Sequence, residues 1–180
     1  MPRLAYAILT GLIGAALLHI IIILALPNFT GRDAYTRVLS EGAANRFHRL
    51  ADKRDLAGLA NMDPYLKVAV CHFDASAQPL RLMAPPGARF WSLAIYDTAS
   101  NEVFSMNDRT SVEGTLDVLL ATPVQLTRLR KALPPALAQS ILVELPNPVG
   151  YAVLRTMAPQ PSLEPGADDF LRGAVCGAFG

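Results

Sequence analysis

The strongest pattern in the chain is an apolar run from Leu4 to Leu26 that contains no formally charged side chain. A helix of this length spans about 34 Å at about 1.5 Å per residue, enough to cross a hydrocarbon core of about 30 Å. Arg3 lies before the run and Pro27 directly after it. The pattern therefore predicts one transmembrane anchor within residues 1–30.

A cleaved secretory signal is the alternative for this segment. Signal peptides have a shorter apolar stretch, of about 7–15 residues, followed by a cleavage site made of small residues. Leu24, Leu26 and Pro27 offer no such site. We therefore expect an anchor that stays attached to the chain.

The charges beside the anchor leave its orientation open. Arg32, Arg37 and Arg46 follow the apolar run, whereas Arg3 precedes it. The positive-inside rule applied to these positions favours a cytoplasmic domain. A charged N-terminus ahead of a first helix also behaves as a signal anchor, and on that ground we favour a domain that faces outward.

Small side chains form one stripe along the predicted anchor. Ala7, Gly11, Ala15 and His19 are spaced by four residues and lie on the same helix face. Small residues at this spacing let two membrane helices approach closely, and a histidine inside a membrane often faces a partner. The stripe is a candidate transmembrane contact face. The alternative is that it reflects only the ordinary composition of membrane helices.

Residues 31–60 form the predicted linker between the anchor and the domain. From Asp33 to about Asp52, apolar side chains recur at steps of three and four residues. These side chains are Tyr35, Val38, Leu39, Ala43, Phe47 and Leu50. Asp33 can cap the first turn. We therefore expect an amphipathic helix that packs on the domain.

Residues 61–180 have the punctuation of a β-rich domain. Short apolar or alternating runs are separated by turns, and the chain contains 14 prolines and 12 glycines. The predicted strands cover residues 66–73, 80–84, 90–97, 102–106, 116–121, 140–145 and 151–157.

Neighbouring strands are close enough in sequence to pair as hairpins. We expect one hairpin from 90–97 and 102–106, and a second from 140–145 and 151–157. Short helices are predicted at 122–133, capped by Thr122, and at 167–175. The fold class is therefore mainly β (α+β): a single transmembrane helix, then an antiparallel β-sandwich or jelly-roll-like domain with short flanking helices.

The charge balance excludes one class of partner. The net charge is +1, and aromatic side chains are not interleaved with basic ones, so we expect no nucleic acid partner. The anchor implies the lipid bilayer as a partner. Another envelope protein, bound through the transmembrane helix or the β-rich domain, is the second partner that we consider.

Cys71 and Cys176 are the two cysteines of the chain. In an oxidising compartment they can form a disulfide that closes a loop of about 105 residues and stabilises the fold by roughly 4–5 kcal/mol. The alternative is two separate buried thiols that behave as small apolar side chains. Their state also bears on orientation, because a cytoplasmic domain keeps its thiols reduced.

The sequence contains none of the strong catalytic or metal-binding motifs. Gly-x-Ser-x-Gly, His-Glu-x-x-His, Cys-x-x-Cys and phosphate-binding glycine loops are missing. His19 falls in the anchor and His48 on the predicted linker helix, so we expect neither to join His72 in a metal site. No metal, no cofactor and no catalytic residue is predicted.

The densest polar cluster follows the predicted strand 102–106. Asn107, Asp108 and Arg109 lie in a turn, where functional residues are common, and Arg109 can hold a small anionic or polar ligand. The alternative is that Asn107 and Asp108 only build the turn through contacts with their own backbone.

Three stretches of the β-rich region carry a likeness to a known family. They are Asp63-Pro64-Tyr65 before the strand with Cys71 and Phe73, Phe90-Trp91-Ser92 running on to Tyr96-Asp97, and Phe104-Ser105 before the Asn107-Asp108-Arg109-Thr110 turn. Together they resemble bacterial proteins of domain of unknown function 1254, whose usual companion is domain 1214. The resemblance implies a β-sandwich in a single-pass protein of the bacterial inner membrane, with a periplasmic soluble domain, and implies no reaction.

Two functions stay open at this point. The first is a membrane-anchored, non-enzymatic module of the envelope that binds a ligand or a partner protein. The second is a carboxylate-dependent enzyme that acts on a glycan or another small envelope substrate through Asp97 and Asp108. Such an enzyme needs two titratable groups that converge in one cleft. We favour the binding module.

Overall fold

The computed structural model describes residues 2–30, 34–50, 63–87 and 90–180, and only the backbone of residues 27–30. The chain divides into two compact units, Met1–Asp33 and Ala34–Gly180. The predicted cap at Asp33 and the predicted end of the linker helix at Asp52 lie outside the described residues.

The described part of the first unit is one continuous helix, α1 (Pro2–Thr30). Its residues Pro2–Leu26 are long and apolar enough to cross a membrane, and the same length and composition also fit a signal sequence. The predicted apolar N-terminal helix is therefore confirmed.

The second unit holds the remaining helices and strands. In chain order these are α2 (Ala34–Leu39), β1 (His48–Arg49), β2 (Leu66–Asp74), β3 (Leu80–Ala84), β4 (Trp91–Asp97), β5 (Glu102–Asn107), β6 (Leu116–Ala121), α3 (Pro123–Lys131), β7 (Ile141–Glu144), β8 (Val149–Met157), α4 (Glu164–Arg172) and β9 (Val175–Ala178). The bounds of β2 to β8 lie within two residues of those predicted. The helix predicted at 167–175 corresponds to α4, which lies three residues earlier, and β9 was not predicted.

The strands form a sandwich of two sheets around one core. The five-stranded sheet has the order β1-β2-β8-β4-β5, and the four-stranded sheet has the order β7-β6-β3-β9. All described pairs are antiparallel except β6 with β7. The predicted β-sandwich is therefore confirmed, with one mixed sheet rather than two antiparallel ones.

Alternation along β4 shows how the core is built. Trp91, Leu93 and Ile95 point into the sandwich and are at most 1% exposed, while the residues between them lie on the outer face. The buried indole of Trp91 donates its hydrogen bond to the carbonyl oxygen of Gly114 at 3.0 Å. The ring is thus packed and its polar atom satisfied.

A disulfide between Cys71 and Cys176 connects the two sheets across the core. Cys71 lies on β2 of the five-stranded sheet and Cys176 on β9 of the four-stranded sheet. Their Cα atoms are 6.6 Å apart. Of the two alternatives considered for these cysteines, the structure contains the paired one.

The hairpin predicted from 140–145 and 151–157 is wrong. β8 lies in the centre of the five-stranded sheet, between β2 and β4, whereas β7 pairs with β6 in the other sheet. Pro146 and Pro148 between them lack the backbone N–H groups of a paired turn. In addition, β8 is buried on both faces, which stabilises it in a central position.

The parallel pair of β6 and β7 requires a crossover, and α3 provides it. A capping box fixes the start of α3: the Thr122 N–H donates to the Gln125 side chain at 2.8 Å, and the Gln125 N–H donates back to the Thr122 hydroxyl at 3.4 Å. Leu126 of α3 is fully buried. The predicted cap at Thr122 is therefore confirmed.

A hydrogen-bonded cluster around Arg81 lies on the outer face of the four-stranded sheet, beneath this crossover. Arg81 donates to both carboxylate oxygens of Asp117 at 2.8 Å and to the carbonyl oxygen of Ala136 at 2.9 Å. The Ser140 hydroxyl donates to the same carboxylate at 2.8 Å. Because Ala136 and Ser140 belong to the crossover, the cluster holds it against the sheet.

The linker helix predicted from Asp33 to about Asp52 is much shorter in the structure. α2 ends at Leu39, and the chain turns back so that His48 and Arg49 pair with β2. The apolar spacing beyond Leu39 therefore belongs to a turn and a strand edge and not to a helix.

Two residues after α2 show why the chain turns back and does not continue as a helix toward Asp52. Asn45 has a φ of 59°, a left-handed conformation that no helix continues through. A β-carbon added to Gly42 would lie 2.2 Å from the ring of His48. The tight return of the chain therefore requires glycine at this position.

α2 covers one half of the outer face of the five-stranded sheet, where it contacts β2 and β8. Val38 of α2 is fully buried. It belongs to a second apolar cluster with Leu50, Val68, Val70, Tyr151 and Val153. The other half of this face, over β4 and β5, carries the site described next.

Candidate functional site

A groove of about 420 Å³ lies on the outer face of the five-stranded sheet, over β4 and β5. Its lining comes from β4, β5, β8 and the turn after β5, and is mostly polar. The lining residues are Ser92, Leu93, Ala94, Tyr96, Glu102, Ser105, Met106, Asn107, Thr110 and Arg155. We call this feature the outer-face groove.

One end of the outer-face groove is rich in hydrogen-bond donors. Strand register places Arg155 opposite Ser92, and Ser92 opposite Asn107. Cβ atoms of such opposed residues are about 4.5–5.5 Å apart, so the three side chains form one row. Within the described part of the chain, neither Arg155 nor Ser92 makes a side-chain hydrogen bond or an ion pair.

Asn107 serves both the turn and the groove. Its side-chain oxygen accepts hydrogen bonds from the backbone N–H of Arg109 at 3.0 Å and of Thr110 at 3.1 Å. Since the oxygen is used in this way, the amide nitrogen is left as a donor for the groove that Asn107 lines.

The other end of the outer-face groove contains an acceptor and an aromatic ring. Glu102 lies opposite Tyr96 in the sheet register. The Ser105 hydroxyl donates to the Glu102 carboxylate at 2.7 Å. Four residues along β4 separate Ser92 from Tyr96, which amounts to about 13 Å. The groove is therefore polarised, with donors at one end and a carboxylate at the other.

Tyr96 belongs to a column of three tyrosines on the outer face. Its ring stacks on that of Tyr151 with centroids 5.0 Å apart and planes inclined by 19°. Tyr35 of α2 contacts the same Tyr151 ring with centroids 6.2 Å apart. Because Tyr151 lies on the β8 side of Tyr96, the opposite face of the Tyr96 ring is turned toward β5 and the groove.

The predicted ligand residues Asn107, Asp108 and Arg109 are divided by the structure. Asn107 lines the groove, whereas Arg109 is exposed and does not. The Asp108 N–H donates to the carbonyl oxygen of Trp91 at 3.2 Å. One Asp108 carboxylate oxygen is buried without a hydrogen-bond partner among the described residues. A ligand held by Arg109 remains a prediction.

The two carboxylates considered for an enzyme lie at opposite ends of β4. Asp97 is the last residue of this strand, and Asp108 binds the backbone of its first residue, Trp91. Six strand residues separate these ends, about 20 Å. Hydrogen bonds from the side chain and backbone of Asn101 lower the pKa of Asp97, and Asp97 shapes the β4–β5 turn. The structure does not bring the two groups together.

The prediction that His48 lies on the linker helix is wrong. It lies on β1 opposite Val70, and on the same sheet face as His72. The His48 ring nitrogen contacts the carbonyl oxygen of Ala43 at 2.8 Å, and the His72 ring nitrogen contacts that of Gly42 at 2.9 Å. Both rings therefore hold the chain between α2 and β1. In the described residues, no group of three metal-binding side chains occurs.

The candidate contact face of the anchor lies along α1. Its residues Ala7, Gly11, Ala15 and His19 are all exposed in the first unit. Nothing in the structure contacts this stripe from another chain, because a single chain is described. A helix–helix contact through it remains a prediction.

Arg155, Ser92 and Tyr96 are among the groove residues that the sequence pattern did not indicate as a site. They are brought together by the pairing of β4 with β8, strands about 60 residues apart in the chain. The alternation of Tyr151, Val153 and Arg155 on β8 is a sequence signal that places them on one face. It does not reveal which strand lies alongside.

The family of the chain follows from its β-rich region. Residues 44–176 match the family described as "Protein of unknown function (DUF1254)". The chain belongs to this family. The description assigns no activity, and no curated protein matches the sequence.

Two solved structures are similar to this chain. The VPA0106 protein from Vibrio parahaemolyticus matches with a TM-score of 0.61 and 15% identity, over 80% of this chain and 32% of its own. An uncharacterised protein from Burkholderia cenocepacia matches with a TM-score of 0.47 and 15% identity, over 72% of this chain and 36% of its own. The first likeness supports the fold alone. This chain spans about a third of the length of both structures.

Proposed function

We propose that this chain is a membrane-anchored binding module of the bacterial cell envelope, without enzymatic activity of its own. The observation that carries the proposal is the outer-face groove. It combines uncommitted donors, a carboxylate and an aromatic ring on a rigid sheet, which is how binding sites achieve orientation and specificity. The alternative enzyme needs two converging titratable groups, and Asp97 and Asp108 lie about 20 Å apart.

The proposed location is the bacterial inner membrane, with the β-rich domain in the periplasm. The length and composition of α1 support a single-pass anchor. The disulfide between Cys71 and Cys176 supports an oxidising compartment. For the orientation, we give the disulfide more weight than the arginines that follow the anchor, because disulfides are rare in the cytoplasm.

The thiol state of the two cysteines in living cells tests this location. Cells are quenched in acid, and a maleimide polymer that retards migration on a gel is added before or after reduction. We expect Cys71 and Cys176 to react only after reduction, and the chain to stay in the membrane fraction with its full mass. Labelling without reduction would overturn the outward orientation.

A partner protein is also part of the proposal, because an anchored module without enzymatic activity acts through what it binds. We propose that a second envelope protein, such as one with the companion domain 1214, binds the β-rich domain or the Ala7–His19 stripe. The outer-face groove, which is open in the isolated chain, is the surface that we propose for the ligand of the module.

Pull-down from detergent-solubilised membranes tests the groove as the binding surface. Ser105→Trp places an indole in the groove, whereas Val124→Trp adds the same group on α3, where Val124 is 62% exposed. We expect Ser105→Trp to lose the material that the unaltered chain retains, and Val124→Trp to keep it. Equal retention by both variants would contradict the proposal.

A further inference from the structure

We propose that the outer-face groove binds an acidic oligosaccharide, with the Arg155 end holding a carboxylate and Tyr96 lying under a sugar ring. This inference deepens the proposed function and rests on it, because it names the ligand class of the same groove. It moves the ligand contact from the turn at Arg109 to the row formed by Arg155, Ser92 and Asn107.

The donor row fits a carboxylate. The guanidinium of Arg155 presents only donors, in a planar fork that matches the two oxygens of a carboxylate. The Ser92 hydroxyl and the Asn107 amide nitrogen add two further donors to the same end. Arg155 has no carboxylate partner among the described residues. An anionic ligand would therefore supply the charge that the groove lacks at this position.

The carboxylate of Glu102 is not a partner of Arg155. Glu102 lies in the Tyr96 row, and Arg155 lies in the Ser92 row, about 13 Å away along the strands. Glu102 is instead bonded to the Ser105 hydroxyl at 2.7 Å. A carboxylate and a hydroxyl at this end suit the hydroxyl groups of a neutral sugar ring, which both donate and accept.

Tyr96 provides the apolar surface that a sugar ring needs. One face of its ring is covered by Tyr151 at a centroid distance of 5.0 Å. This stack fixes the orientation of Tyr96, so its other face toward the groove is preorganised and loses little entropy on binding. The distance between the aromatic end and the donor row exceeds one sugar ring, so the ligand is an oligosaccharide.

The lining favours a glycan over a peptide. Four of the ten lining residues are short polar side chains, namely Ser92, Ser105, Asn107 and Thr110. A peptide ligand is usually fixed by a deep apolar pocket or by pairing with a free strand edge. The groove lies on the face of the sheet and has no deep apolar pocket. The edge of β5 lies beside the groove and not within it.

Titration of the full chain in phosphatidylcholine nanodiscs tests the inference, because no anionic lipid is present to compete. The probes are trigalacturonate, its fully methyl-esterified form and a tetraglutamate peptide, followed by saturation-transfer NMR and calorimetry. We expect the acidic sugar to bind, and both other probes to bind at least tenfold more weakly. Equal binding of the ester would overturn the carboxylate contact, and equal binding of the peptide would overturn the sugar class.

Four arginine variants locate the contact. Arg155→Met should weaken trigalacturonate binding at least tenfold, and Arg155→Lys should recover part of it. Arg128→Met on the exposed side of α3 removes the same charge far from the groove and should have no effect. Loss with Arg109→Met in place of Arg155→Met would assign the ligand to the turn and overturn the inference.

The outcome is separable from that of the proposed function. If no saccharide binds, the ligand class is wrong, while the pull-down comparison of Ser105→Trp with Val124→Trp still decides whether the groove is a binding surface. Thermal unfolding monitored by circular dichroism confirms that each variant is folded, including the two that add a tryptophan. If Arg155→Met does not fold, Arg155→Lys still tests the contact.

Discussion

Arg81 and Arg155 each lie on the outer face of one of the two sheets, but their hydrogen-bond partners differ. Arg81 on the four-stranded sheet donates to Asp117 through two nitrogens and also to the crossover carbonyl of Ala136. Arg155 on the five-stranded sheet has no such partner among the described residues. The Arg81 side chain is 19% exposed and contacts the segment that follows α3, whereas the Arg155 side chain lines an open groove.

The difference separates a structural charge from a binding charge. A charged group removed from water is stable only when hydrogen bonds replace its hydration. Arg81 obtains these bonds from its own chain, which fastens the crossover between β6 and β7. Arg155 keeps its bonds for solvent or for a ligand. The two outer faces therefore have different tasks, one to close the fold and one to present a surface.

We expect the largest loss of stability when the disulfide that joins the two sheets is removed. Replacing Cys71 and Cys176 by alanine opens a loop with a sequence separation of 105 residues. The chain-entropy model gives a loss of about 4–5 kcal/mol in the free energy of unfolding. Urea unfolding followed by fluorescence of Trp91, the single tryptophan, measures it. The unaltered chain under reducing conditions serves as the control and should behave like the variant.

The next largest effect sharpens the structural half of the comparison. Arg81→Met leaves the Asp117 carboxylate without its partner at a side-chain exposure of 23%. We expect a loss of about 2–3 kcal/mol in the free energy of unfolding, because a largely covered charge then keeps only the hydrogen bond from the Ser140 hydroxyl. The same urea experiment measures it.

A matched control for Arg81→Met is Arg172→Met. Arg172 pairs with Asp169 on α4, but these side chains are 64% and 72% exposed. Exposed pairs contribute only about 0–1 kcal/mol. A loss of equal size in both variants would mean that the Arg81 cluster has no special structural role.

The pH dependence of the free energy of unfolding tests the Arg81 cluster, and we expect a smaller change than for Arg81→Met. The hydrogen bond from Arg81 lowers the pKa of Asp117, burial opposes this, and the Ser140 hydroxyl adds to it. Because the folded-state pKa lies below the unfolded value of about 3.9, the stabilisation is present above that value and is lost as the pH falls through the folded-state pKa.

The measurement compares the unaltered chain with Asp117→Asn from neutral pH downward. We expect the unaltered chain to be more stable near neutral pH, and the gap to narrow in acid as Asp117 becomes protonated. A gap that stays constant through the acid range would show that the carboxylate charge contributes nothing.

Local patterns predicted much of this fold. The alternation in β4 placed Trp91, Leu93 and Ile95 on one face, and the structure buries all three. Thr122 followed by Pro123 predicted the start of α3 correctly. These features depend on residues within a few positions of each other, so a sequence window contains all the information that they need.

Features that depend on distant pairing were not predictable in this way. The spacing of β7 and β8 suggested a hairpin, yet each strand finds a better partner elsewhere, β7 beside β6 and β8 between β2 and β4. The helical spacing after Leu39 gave way to a return of the chain at Gly42. The groove has the same origin, because Arg155 and Ser92 meet only when β8 pairs with β4.

The smallest stability effect tests the binding half of the comparison. Arg155→Met removes a side chain that makes no hydrogen bond or ion pair with the described residues, so we expect the free energy of unfolding to change by no more than about 0.5 kcal/mol. Urea unfolding followed by Trp91 fluorescence measures it beside Arg81→Met. A loss as large as that of Arg81→Met would mean that Arg155 is also a structural charge, and the contrast between the two faces would fail. A small change in the free energy of unfolding, together with weaker ligand binding, would show that Arg155 serves binding and not stability.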